Sequence, residues 1–205
     1  MSTLVSSVAD LEGLYSDPVP PAAKIKVLDH VSEHYRRFIE ASPFLILATV
    51  GPSGVDCSPR GDPAGFVRVA DPKTLLIPDR RGNNRIDSLR NIVRDPRVSL
   101  LFLVPGVGET IRVIGRARIT TDPALLESFI FAGKTPRSVI VVAVESCYFQ
   151  CPKALVRSKL WDPASIVDRK SLPSSGTIIA AITKGAEGGA EYDRAYPQRL
   201  KETIY

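Results

Sequence analysis

The chain has 205 residues, 44% apolar and 24% charged, with a formal net charge of +5 and a pI near 9.2. That composition suits a soluble domain with its own core and appended helices, and it excludes extended disorder. The longest apolar runs, such as 138–144, fall well short of the roughly 20 residues a membrane span requires. Residues 1–13 carry no basic segment ahead of an apolar stretch, so no membrane association and a cytoplasmic location are expected.

Asp79, Asp87 and Asp95 interrupt the arginines, so no uniform basic stripe forms and no nucleic-acid partner is expected. Cys57, Cys147 and Cys151 are too few and too uneven for a disulfide framework. Cys147 and Cys151 have no second Cys or His pair nearby, which argues for reduced thiols and against zinc.

In chain order, Ser7 to Asp10 predict a capping box on a short helix, and Pro18, Pro20 and Pro21 then break the chain. From 22 to 41, Ile25, Leu28, Val31, Tyr35, Phe38 and Ile39 follow helical spacing and predict one amphipathic helix. Within it, His30, Glu33 and His34 match an H-x-x-E-H zinc-peptidase pattern. Such a site needs a third protein ligand and a larger catalytic domain, so two surface histidines and no metal are expected.

After Pro43 the period becomes extended. Residues 44–50, a Gly51-Pro52-Ser53-Gly54 turn and residues 55–60 predict a hairpin, followed by short strands at 66–69 and 74–77. The segment 74–102 then reads strand, polar loop, helix, strand. Leu89, Ile92 and Val93 supply the helical stripe, and Asp95-Pro96 ends it. Unpaired N–H groups at a helix start favour anions, so Arg80, Arg81, Asn84, Arg85 and Ser88 form a candidate phosphate site.

Strands at 98–104 and 110–120 flank a second hairpin turn, a brief helix runs from Asp122-Pro123 to Phe131, and 137–149 predicts a long central strand. If 150–161 is helical, Lys153, Arg157 and Trp161 share one face, which suits an anionic planar ligand or plain cation–π packing. Residues 162–205 read as peripheral helices able to cover a neighbouring subunit.

The segments Asp56 to Asp62, Thr74 to Arg80 with Gly82 to Arg85, Asp87 to Asn91, Pro105 to Arg112 and Lys153 to Pro163 together resemble the pyridoxamine 5'-phosphate oxidase-like flavoproteins, the FMN-binding split barrels. The likeness is greatest to their subgroup of FMN-dependent enzymes and covers roughly residues 38–163. It implies a mainly β (α+β) fold: a six-stranded antiparallel split β-barrel with flanking helices that forms a homodimer. By this division residues 1–41 are helices packed on the barrel, 42–163 the FMN-binding barrel and 164–205 a helical extension.

The resemblance assigns Asn84, Arg85 and Ser88 to the FMN phosphate, with Arg80 close by. It brings Ser58 and Arg60 towards the flavin ring or ribityl chain, and puts Thr110 where the oxidase has a glutamine touching the ring. Lys153, Arg157 and Trp161 would come from the partner subunit. It implies an FMN-dependent oxidoreductase passing a hydride or electrons between a reduced donor, a nicotinamide, and a small-molecule substrate. A cation at the N1–C2=O edge, Arg60 or the partner subunit's Lys153, would stabilise the anionic reduced flavin.

A non-catalytic flavin carrier or sensor is the alternative, and a deazaflavin or haem in place of FMN stays open. The oxidase's Ser-Arg-Lys phosphate signature is absent. Its Trp-Arg-Leu-x-Pro segment is replaced by Lys159-Leu160-Trp161-Asp162-Pro163. Pyridoxamine phosphate oxidation itself is therefore not expected.

Overall fold

Alternating apolar residues in seven extended segments build one antiparallel sheet. The computed structural model describes residues 4–15, 17–82 and 84–205. Its strands are β1 (Phe44–Gly51), β2 (Gly54–Gly61), β3 (Arg68–Asp71), β4 (Thr74–Pro78), β5 (Arg97–Leu103), β6 (Thr110–Thr120) and β7 (Val139–Gln150). They lie in the order β2-β1-β5-β6-β7-β4-β3. Seven strands stand where the family resemblance implies six; the short strand expected at 66–69 is present as β3, paired with β4.

The sheet curls until its two ends approach. Arg60 on β2 reaches Asp79, just past β4, at 3.4 Å, although no strand pairing joins β2 to β3 or β4 among the described residues. This is a split-barrel-like α+β fold. Inside the curl, Leu45, Leu47, Leu75, Ile77, Leu100, Phe102, Ile111, Val113 and Val142 are fully buried or nearly so. They occupy every second position of their strands, as a sheet with one apolar face requires. At Gly115, beside the bulge in β6, an added Cβ would lie 2.1 Å from the Ala143 carbonyl oxygen, so only glycine lets β6 and β7 approach there.

Helices flank the sheet: α1 (Val8–Leu14), α2 (Pro21–Ile25), α3 (Glu33–Ala41), α4 (Asp87–Arg94), α5 (Pro123–Ser128), α6 (Lys153–Ser158), α7 (Ser175–Ile182) and α8 (Gly189–Thr203). Ser7 caps α1 by accepting from the Asp10 N–H, as its spacing predicts. α4 lies against β1, where the buried Asn91 Nδ2 donates to Thr49 Oγ1 at 3.0 Å. α7 packs on α8, tied by the Asp193 carboxylate, which accepts from Ser174 Oγ and the Gly176 N–H.

The single helix expected over 22–41 is two helices. Between them Leu28 exchanges backbone hydrogen bonds with Cys147 of β7, and the Val31 N–H donates to the Pro72 carbonyl. Sheet pairing available to residues 26–32 outweighs the weaker preference for continuous helix. His30 therefore precedes α3 while His34 lies within it, so the two imidazoles are not stacked one turn apart on a helix. The brief helix expected through Phe131 stops at Ser128. No helix among the described residues is long and apolar enough to cross a membrane.

Candidate functional site

Where the curled ends of the sheet meet, β4 runs out at Pro78 and the chain crosses to α4. The Asp79 N–H donates to the Ser138 carbonyl at 2.9 Å, extending the β4–β7 ladder by one bond and fixing where the loop begins. A cleft of about 340 Å³ opens there, bounded by β2, residues 79–82 and 84–86, the start of α4 and Arg137. Five arginines (Arg60, Arg80, Arg81, Arg85 and Arg137) face three aspartates (Asp56, Asp79 and Asp87), so the lining is net positive.

The entry into α4 is strained. Asn84 (φ 61°) and Ile86 (φ 52°) are both left-handed, which costs a β-branched residue roughly 1–2 kcal/mol. Arg137 Nη1 holds the turn by donating to Asn84 Oδ1 at 3.2 Å, and the Ile86 carbonyl accepts from the Arg90 N–H. No side chain among the described residues caps α4. Its first N–H groups and the positive end of its dipole therefore face the cleft beside the buried Ser88.

The arginines differ in how they are held. Arg80 forms the back wall, with Nε donating to Asp62 at 2.6 Å and Nη1 to the Phe129 carbonyl at 2.8 Å. The Asp62 side chain is only 1% exposed. Arg60 pairs with Asp79 through Nη1, but its buried Nε has no hydrogen-bond partner among the described residues. Burial raises the Asp79 carboxyl above its usual range, and the Arg60 and Arg137 charges pull it back only in part. At the mouth, Arg85 bonds Asp87 at 2.7 Å with the two side chains 77% and 42% exposed. Such an exposed pair contributes about 0–1 kcal/mol, so an incoming anion can replace Asp87 as a partner of Arg85 at little cost.

Ser58, Arg60, Arg80, Asn84, Arg85 and Ser88 are thus brought together, while Thr110, Lys153, Arg157 and Trp161 are not. Arg60 is aligned through Leu45 and Phe102 with Ile111, three strand spacings or roughly 14 Å from the start of β6. Thr110 is buried there opposite Gln150. Lys153 and Arg157 are exposed on α6. Trp161 leaves their helical face because α6 ends at Ser158 and Lys159 turns left-handed (φ 53°), and its Nε1 donates to the Val107 carbonyl at 2.8 Å.

Sequence reasoning missed Asp79 and Arg137 as members of the site and Asp62 as the anchor of its back wall. Arg137 follows only from the pairing of Pro78 with Val139, which sets its position beside the loop. The thiols stand apart from any disulfide: Cys57 is exposed at the cleft, Cys151 is exposed, and burial pushes Cys147 up to about 12. Among the described residues no three His, Cys, Asp or Glu side chains gather as a metal site.

Residues 31–151, more than half the chain, match the family model for pyridoxamine 5'-phosphate oxidase. No curated protein matches the sequence. Among solved structures, HupZ of Group A Streptococcus is 18% identical with a TM-score of 0.46, over 57% of this chain and 91% of that one. General Stress Protein 26 of Bacillus anthracis is 18% identical with a TM-score of 0.42, over 55% and 88%. An FMN-binding protein of Syntrophomonas wolfei is 12% identical with a TM-score of 0.44, over 56% and 82%.

Proposed function

The chain belongs to the pyridoxamine 5'-phosphate oxidase family, and from that premise we propose that its arginine-lined cleft seats the phosphate of FMN in an FMN-dependent oxidoreductase. The observation that carries the reading is the convergence of an uncapped α4 N-terminus, a surplus of arginine and the unpartnered buried Nε of Arg60 on one cleft. The helix N–H groups and the Arg60 Nε are donors without an acceptor among the described residues, the arginine surplus is uncompensated charge, and a phosphate dianion answers all three.

In this reading Asn84, Arg85 and Ser88 hold the phosphate and Arg60 turns its spare donor to the ligand. Arg80, tied to Asp62, keeps the wall behind them rigid. Bound FMN supplies the electron and hydride transfer chemistry that no side chain in the cleft offers. Ser58 on β2 lines the path from the phosphate end towards the ring.

The proposal includes a homodimer in which residues 42–163 form the flavin-binding barrel, with the flanking segments appended to it. Lys153, Arg157 and Trp161 line no part of the cleft in their own chain, and the two cations make no ion pair among the described residues. A partner chain is the means by which they would meet a flavin.

The absorption spectrum of freshly purified protein tests the cofactor: flavin bands are expected, and a colourless protein that takes up no added FMN contradicts the reading. Reduction of the bound flavin by NADH or NADPH then separates an enzyme with a nicotinamide donor from a carrier or sensor.

A further inference from the structure

We propose that the segment ending α8 is a strap that holds the cleft's back wall, and that Tyr205 is a positioning residue acting on Arg80 through Asp62; this deepens the flavin reading above and rests on it. The Tyr205 hydroxyl donates to Asp62 Oδ1 at 2.8 Å, while Arg80 Nε donates to the other oxygen of the same carboxylate at 2.6 Å. One carboxylate therefore joins a residue beyond α8 to a guanidinium that lines the cleft.

Three further contacts bind the segment to the same wall. The Tyr205 ring lies 4.8 Å from that of Phe131, and the Arg80 guanidinium also sits over the Phe131 ring, 5.7 Å from its centroid. Lys134 Nζ donates to the Tyr205 carbonyl oxygen at 3.1 Å, and Arg81 Nη1 to the Glu202 carbonyl at 3.5 Å. Between strap and wall a pocket of about 200 Å³ is lined by Arg80, Arg81 and Arg137, all three of which also line the cleft. The hydrogen bond to Asp62 also holds the Tyr205 phenol above its usual pKa, as expected of a hydroxyl that donates to a carboxylate.

Fixing Asp62 with a second donor removes rotamer freedom from the Asp62–Arg80 pair before any ligand arrives. A wall already ordered loses less entropy on binding, so the strap acts to slow ligand release. Without the Tyr205 hydroxyl, Asp62 keeps its charge but loses one of its two anchors, and Arg80 gains freedom to leave the cleft.

The test measures FMN dissociation rates, by recovery of flavin fluorescence, for the full chain, Tyr205→Phe, Arg80→Ala and the double variant. Amide exchange across 129–137 is followed in parallel. Tyr205→Phe is expected to speed FMN release about fivefold, the scale of one partly exposed hydrogen bond, and to speed exchange in 129–137. It should add nothing once Arg80 is alanine, a coupling that general destabilisation would not produce. Equal acceleration in both backgrounds, or no change in either readout, overturns the proposal. Should Arg80→Ala not fold, Arg80→Lys takes its place. If the unaltered chain takes up no FMN, the flavin reading fails by itself and the strap is judged on exchange alone, where unchanged protection at 129–137 refutes it.

Discussion

The cleft ahead of α4 and the corner at α6 both concentrate positive charge, but only the cleft supplies partners for it. Arg60 faces Asp79, Arg80 faces Asp62, Arg85 faces Asp87 and Arg137 faces Asn84. At the corner, Lys153 and Arg157 make no ion pair among the described residues, and Trp161 has used its N–H on the Val107 carbonyl. Counter-charges inside one chain orient guanidinium groups before a ligand binds, whereas unpaired cations keep their rotamer freedom until something arrives. The difference teaches that the cleft is organised within a single copy, whereas the corner is not ordered by counter-charges of its own chain among the described residues.

Removing a counter-charge sharpens the contrast most. Asp62→Ala leaves Arg80 without its carboxylate behind the cleft and is expected to destabilise the fold by about 3 kcal/mol in chemical denaturation. Arg157→Ala at the corner should cost less than about 0.5 kcal/mol. Equal losses would erase the distinction.

Ligand affinity comes next. Arg60→Ala deletes the unpartnered donor and should weaken FMN binding about thirtyfold in a fluorescence titration. Arg85→Ala should weaken it about fivefold with little change in stability, because the Arg85–Asp87 pair contributes little to the fold. If Arg85→Ala proved the more damaging of the two, the cleft would be organised from its mouth and not from its wall. At the corner, Arg157→Glu should weaken FMN binding about tenfold while shifting the mass distribution towards single chains in sedimentation. An unchanged mass distribution with unchanged affinity would remove the corner from the site.

The smallest effect is on pH dependence, and its sign differs between the cleft and the periphery. Ion pairing with Lys73 and Arg97 lowers Asp29 and Asp95 to about 2. Their folded forms bind fewer protons than the unfolded chain between pH about 4 and 2. The stability they contribute is complete above that window and lost as pH falls through it. Asp79, raised by burial, runs the other way: its folded form holds the proton longer, so its contribution is lost as pH rises through its folded pKa. Carboxyl carbon NMR titration should show Asp79 moving above the ordinary range and the other two below it.

Local pattern made most of the sheet legible. Alternation along β5 and β6 and the Gly51-to-Gly54 turn gave strands and a hairpin close to those observed, and Asp87 to Arg94 read as a helix entered from a basic loop. The break between α2 and α3 was not legible, because it depends on Cys147 and Pro72 reaching residues far away in sequence. The phosphate-site candidates were legible because they lie within a few residues of one helix start. Asp62, Arg137 and Tyr205 were not, since their roles depend on the curl of the sheet and on a contact spanning 143 positions. Trp161 was misplaced for a local reason: Lys159 turns left-handed and ends α6 before the helical face can extend to it.

Comparing FMN with riboflavin in one fluorescence-quenching titration isolates the phosphate, since the two ligands differ only there. If the α4 entrance grips that group through its N–H donors and arginines, FMN should bind at least about a hundredfold more tightly, a gap that closes as salt rises. Equal affinities for the two, or no binding of either, would contradict the assignment of this cleft.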